Sequence, residues 1–303
     1  MGATPSPVDR LAAFHAGFTG ADYDAQYDLL ARRPEFVRIA ADWQTRSAAV
    51  FDAAEREGRR HRVRYGEAPR AEIDILIPAH RARRPSRAGC PVILYFHGGY
   101  WQRGAREMYA FLAPAFLEAG IAFALAGYSL CPDASIPQIL EEAGAAVACM
   151  RREAAGIGIA GDALTVMGHS AGGQIALMLA SHGPGKLPAT ARAIAVSPVT
   201  WLDPVRHTPA LHAPLAIDDD TIARCSPQLF RLGDGAEALV LVGADETDAF
   251  RLLANTYAET QTALGGAAQC REVPDVDHFD ILEVIANGAS PTFKMIRSFA
   301  ATD

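Results

Sequence analysis

Gly168-His169-Ser170-Ala171-Gly172 sets one serine among small residues at the point where a strand turns into a helix. Thr165-Val166-Met167 leads in as a short apolar strand, and Ala171 to Leu179 leads out as a helix with little side-chain bulk at its start. This is the pattern of a nucleophile elbow, a turn so tight that bulky neighbours of the serine are excluded. The helix N-terminus adds unpaired N–H groups and a positive dipole end where negative charge would develop.

Upstream, Pro91-Val92-Ile93-Leu94-Tyr95-Phe96 reads as a buried strand that runs into His97-Gly98-Gly99-Tyr100-Trp101. Glycines just past a strand end let backbone N–H groups come close to a substrate oxygen. Gly98, Gly99 and Tyr100 are therefore expected on one side of an oxyanion hole, with the N–H of Ala171 on the other. Downstream, Leu239-Val240-Leu241-Val242-Gly243 is a second buried strand, followed by Ala244-Asp245-Glu246-Thr247-Asp248. A further strand, Gln269 to Val273, precedes Pro274-Asp275-Val276-Asp277-His278-Phe279. The chain order is thus serine, acid, histidine, each beyond a strand end.

A serine hydroxyl needs an imidazole to take its proton, and that imidazole needs a carboxylate on its far ring nitrogen. Ser170 and His278 fill the first two roles, while spacing leaves Asp245, Glu246 and Asp248 open for the third. Asp275 and Asp277 crowd His278 and stay open as candidates for the same role, although sequence neighbours rarely reach the correct ring nitrogen. A hydroxyl, a base, an acid and oxyanion donors together specify acyl transfer to water.

The 303 residues, half of them apolar, suffice for one large core. Fully apolar segments at 91–96, 121–125, 165–167, 193–196 and 239–242 alternate with helical ones, which predicts an α/β fold with a mostly parallel central sheet covered by helices on both faces. His61–Tyr65 and Glu72–Ile77 alternate in polarity and are expected as half-exposed strands at an antiparallel edge. Residues 1–57 read as a helical extension packing on the core, with a helix start near Pro34, and 58–303 as the main domain. Within it, the Pro-, His- and Asp-rich stretch at about 198–228 is expected as a short cap.

A net charge of −7 argues against a nucleic-acid partner, and the one basic run, His80 to Arg87, reads as a solvated loop. The five cysteines, Cys90, Cys131, Cys149, Cys225 and Cys270, show no metal-ligand spacing and read as reduced thiols of a cytoplasmic protein. His207 and His212 lack a third ligand, so no metal is expected, and His97 and His169 read as structural hydrogen-bonders. The N-terminus lacks the pattern of a signal peptide and no apolar run is long enough for a membrane span. A small-molecule substrate is the expected partner, and a homo-oligomer is compatible with this reading.

His97-Gly98-Gly99-Tyr100-Trp101, the elbow around Ser170, Tyr128-Ser129-Leu130-Cys131-Pro132, Ser226-Pro227 and His278-Phe279 resemble the kynurenine formamidase (arylformamidase) branch of the α/β-hydrolases, near the hormone-sensitive-lipase-like esterases. Gln26-Tyr27-Asp28 and Ala31-Arg32-Arg33-Pro34 extend the resemblance to the N-terminal region. It implies an α/β-hydrolase fold and a cofactor-free serine hydrolase, with Ser170 as nucleophile, His278 as base and Glu246 as the best-aligned acid, Asp245 being the alternative. The leading expectation is cleavage of a small aromatic amide or ester, with N-formylkynurenine as substrate and Trp101, Tyr128 and Phe279 lining the pocket with Tyr100. A broad short-chain carboxylesterase would use the same machinery. A non-catalytic ligand-binding module on the same scaffold is the third reading.

Overall fold

A computed structural model describes residues 6–79, 89–183 and 190–301. The basic run at 80–87 lies outside these residues. Eight strands form one sheet: β1 (Arg60–Arg64), β2 (Glu72–Leu76), β3 (Cys90–Phe96), β4 (Ala122–Ala126), β5 (Ile159–His169), β6 (Arg192–Val196), β7 (Glu237–Gly243) and β8 (Ala267–Val273), in the spatial order β1-β2-β4-β3-β5-β6-β7-β8. β1 pairs antiparallel with β2, and β2 antiparallel with β4. All remaining pairings are parallel. With helices on its faces, this is the α/β-hydrolase architecture.

The central parallel strands are mostly apolar because helices cover both of their faces, whereas β8, at the far edge of the sheet, carries Gln269, Arg271 and Glu272 and is largely exposed. Val92, Ile93, Leu94, Tyr95 and Phe96 in β3, and Leu239, Val240, Leu241 and Val242 in β7, are all buried. β1 is the sheet edge, as its alternation suggests, but β2 departs from the half-exposed expectation: Ile73, Asp74, Ile75 and Leu76 are all buried. The polar position is paid for locally, since Arg60, Arg62 and Arg106 converge on the Asp74 carboxylate. Burial works to raise that carboxyl's pKa, and the hydrogen bonds from Arg62 and Arg106 overcome it and hold the group ionised.

Among the described residues, four helices precede the sheet: α1 (Pro7–His15), α2 (Gly20–Tyr27), α3 (Leu29–Arg32) and α4 (Phe36–Arg56). Capping boxes built from Ser6 with Asp9, and from Thr19 with Asp22, start the first two. α4 begins two residues after Pro34 and buries Trp43, Ser47, Phe51 and Ala54 along one stripe of helical period. α1 lies against the helix Asp248–Ala263, and α4 against the segment Arg106–Leu112, so the N-terminal helices sit over the carboxyl ends of the strands. The 198–228 stretch folds as three short helices, Asp203–Arg206, His212–Leu215 and Asp219–Cys225.

Candidate active site

β5 ends at His169, and Ser170 follows at φ 57°, ψ −118°, before the helix Ala171–Leu179 begins. A positive φ at a non-glycine residue is sterically costly and persists only where its surroundings enforce it. Here glycines make the turn possible. A Cβ at Gly168 would lie 2.0 Å from the carbonyl oxygen of Gly172, and a Cβ at Gly172 would lie 2.0 Å from that of Phe96. The Ser170 N–H is tied to the Val196 carbonyl at 2.8 Å, which fixes the turn to the neighbouring strand.

The loop after β3 approaches the elbow closely. A Cβ at Gly98 would meet His169 Nδ1 at 3.0 Å and the Ser170 Cβ at 3.1 Å. The His97 ring orients this loop: Nδ1–H donates to the Gly98 carbonyl at 2.8 Å, and because the peptide is planar and trans, the Gly99 N–H points the opposite way. Tyr128 stacks on His97 with centroids 4.3 Å apart and donates its hydroxyl to the His97 carbonyl at 2.6 Å. Burial pushes the His97 imidazole down to about 3, so it remains neutral.

β7 delivers Glu246 and β8 delivers His278. The His278 Nδ1–H donates to Glu246 Oε2 at 2.7 Å, with both side chains withdrawn from solvent. Its lone pair is therefore at Nε2. The other oxygen of Glu246 accepts from Ser197 Oγ at 2.5 Å and from the Gly243 N–H at 2.7 Å. Asp245 and Asp248 are exposed. His169 packs against the His278 ring at 4.5 Å and donates Nε2–H to the His278 carbonyl at 2.8 Å, while burial drives its own pKa well below the usual histidine range.

Ser170, His278, Gly98, Gly99, Tyr100 and Phe279 line one cavity of about 230 Å³. Trp101 and Tyr128, expected in its wall, are not among the lining residues. Both are fully buried behind the loop: the Trp101 indole N–H donates to Gln174 Oε1, and Tyr128 is held by His97. Beside Tyr100 and Phe279, the pocket aromatics are Phe36 and Trp43 from the N-terminal helices and Tyr109 from the segment after β3, joined by the aliphatic Leu29 and Leu30. Asp28 and Arg103 add charge of both signs, and the 198–228 stretch contributes Leu211. Ser197 and the pocket residues Leu29, Leu30, Phe36 and Trp43 belong to none of the motifs quoted above, because their part in the site arises from packing between distant segments.

No group of three or more metal-ligating side chains occurs among the described residues, and no helix there is long and apolar enough to cross a membrane.

Comparison with known proteins locates this arrangement. The BD-FAE family model matches residues 73–192. A kynurenine formamidase from Danio rerio is 27% identical over 233 residues, spanning 74% of this chain and 76% of its own. Among solved structures, a "putative thioesterase" from Silicibacter sp. TM1040 superposes with a TM-score of 0.77 at 24% identity, covering 91% of this chain and 97% of that one. Esterase B from Lactobacillus rhamnosis gives a TM-score of 0.65 at 18% identity, covering 86% of this chain and 96% of its own.

Proposed function

We propose that this chain, which has the α/β-hydrolase fold, works through a serine acyl-enzyme and that its substrate is an aromatic formamide, N-formylkynurenine, as its similarity to a kynurenine formamidase and to the BD-FAE family model supports. The observation that carries the mechanism is that His278, hydrogen-bonded to Glu246 from behind, lines the same cavity as Ser170. His278 Nε2 takes the Ser170 proton as the oxygen attacks the carbonyl carbon, and Glu246 stabilises the imidazolium that results. The N–H groups of Gly98, Gly99, Tyr100 and Ala171 are the donors for the oxyanion. Collapse of the tetrahedral intermediate breaks the C–N bond, and the imidazolium returns its proton to the leaving amine. Water, activated by the same imidazole, then attacks the formyl-enzyme and releases formate and free Ser170.

The substrate assignment rests on the cavity and on the Danio rerio relative. Leu29, Leu30, Phe36, Trp43 and Phe279 provide an apolar, aromatic-accepting wall. Asp28 and Arg103, which line the same cavity, match an ammonium and a carboxylate, the two charges of an amino-acid substrate. The test compares kcat/KM for N-formylkynurenine with that for p-nitrophenyl acetate and butyrate. We expect the formamide to exceed both esters by about tenfold or more, which is about 1.4 kcal/mol of transition-state preference. A formamide rate no better than background alongside efficient ester cleavage makes the protein a short-chain carboxylesterase.

A further inference from the structure

Three loops carry the proposed machinery, and one short N-terminal segment is bonded to all three. At its start, Gln26 holds the loop of Glu246: its side-chain Oε1 accepts the Ala249 N–H at 3.1 Å, and its carbonyl accepts the Thr247 hydroxyl at 3.0 Å. One residue later, the Tyr27 carbonyl accepts the Tyr100 hydroxyl at 2.9 Å, holding the loop after β3. At its end, Arg33 holds the loop of His278. Its guanidinium reaches both Asp280 oxygens, from Nη1 and Nη2 at 2.9–3.0 Å, and also pairs with Asp277. Asp277 itself shapes the turn, since its Oδ1 accepts the N–H groups of Phe279 and Asp280, both at 2.9 Å. Between the two ends, Asp28, Leu29 and Leu30 face the cavity.

We propose that Gln26–Arg33 is a clamp that completes the active site, with Arg33 and Gln26 as positioning residues that hold the His278 and Glu246 loops at mutual hydrogen-bonding distance. The proposal rests on the triad reading given above. A 2.7 Å contact between side chains from β7 and β8 tolerates little loop drift, and a misplacement of about 1 Å costs on the order of a hundredfold in rate. Neither Arg33 nor Gln26 touches the reacting atoms. Their effect is on geometry. The Arg33 pairs are partly solvated, with side-chain exposures of 23% for Arg33, 25% for Asp277 and 42% for Asp280, so they add little to global stability. Losing them shows in turnover rather than in melting.

The test measures kcat, KM and melting temperature with p-nitrophenyl acetate, a substrate too small to depend on the far cavity wall. Arg33→Met is expected to lower kcat by about tenfold or more, with KM within about threefold and melting within a few degrees of wild type. Arg33→Lys should recover part of the loss, because an ammonium restores the charge without the two-pronged reach. Gln26→Leu, which removes only a side-chain acceptor, should lower kcat in the same selective way and carries the test if Arg33→Met does not fold. The clamp is overturned if both variants keep kcat within about twofold of wild type, or if kcat falls only in step with melting and lysine restores nothing. Failure of the triad reading looks different, since wild type itself would then be inactive and unlabelled at Ser170.

Discussion

At the scale of single residues, the acid separates what spacing can decide from what it cannot. Asp245, Glu246 and Asp248 stand within four positions of one another past a strand end, and sequence offered no way to rank them beyond the family resemblance that favours Glu246. The turn after β7 exposes Asp245 and Asp248 and turns Glu246 inward, where Ser197, Gly243 and His278 occupy its two oxygens. Glu246→Gln removes the charge that pairs with an imidazolium and leaves the shape intact. It is expected to lower kcat on the order of 10⁴-fold, the size of the loss when a serine protease's orienting aspartate becomes asparagine. Asp245→Asn should stay within a few-fold of wild type, and the opposite ranking in steady-state kinetics would move the role to Asp245. The signal for Ser197 was absent from the sequence for a physical reason: a serine after a strand is ordinary, and only its φ of 49° and its reach to Glu246 distinguish it.

At the scale of elements, legibility followed the origin of the stabilising force. β3 and β7 were readable because burial on both faces writes an unbroken apolar run into the chain; of β5 only the 165–167 stretch was, since Gly161 and Asp162 interrupt its first half, and the elbow was readable because backbone sterics demand glycine at 168 and 172. β2 was misread as half-exposed because its alternation is real while its polar member, Asp74, is neutralised by arginines from β1 and from Arg106, a pairing that period alone does not reveal. Trp101 and Tyr128 were expected in the pocket as aromatic residues of the stretches that carry the family resemblance. They lie instead in the layer beneath it, bracing the His97 loop from behind. The pocket wall from α3 and α4 was hidden, since nothing local says that Leu29 and Trp43 meet Ser170, some 140 and 127 positions further along the chain.

For the molecule as a whole, buried neutral histidines shape its response to acid, His97 and His169 foremost, with His15 shifted by burial in the same direction. Burial lowers the pKa of His97 to about 3 and that of His169 well below the ordinary value of 6.5. In the unfolded chain both take up a proton near pH 6.5, while in the folded protein neither does so until far lower. The unfolded state therefore binds more protons below pH 6.5, and stability falls as pH decreases. Each histidine contributes about 1.4 kcal/mol per pH unit once its unfolded form is charged. Denaturant unfolding from pH 7.5 to 4.5 should show a plateau above about 7 and a loss approaching 3 kcal/mol per unit near pH 5, before ion-paired carboxylates such as Asp74 add theirs at lower pH. Stability that is flat or rising between pH 6.5 and 5 would mean that these rings are accessible to protons in the folded state.

On the proposed mechanism, Ser170 becomes covalently acylated in the cavity it shares with His278. Intact mass and peptide mapping after treatment with a fluorophosphonate test it most directly. The account predicts a single adduct on Ser170, absent from Ser170→Ala and strongly slowed in Glu246→Gln. A folded wild-type protein that takes up no label, or carries it on another residue while Ser170→Ala labels normally, would contradict it.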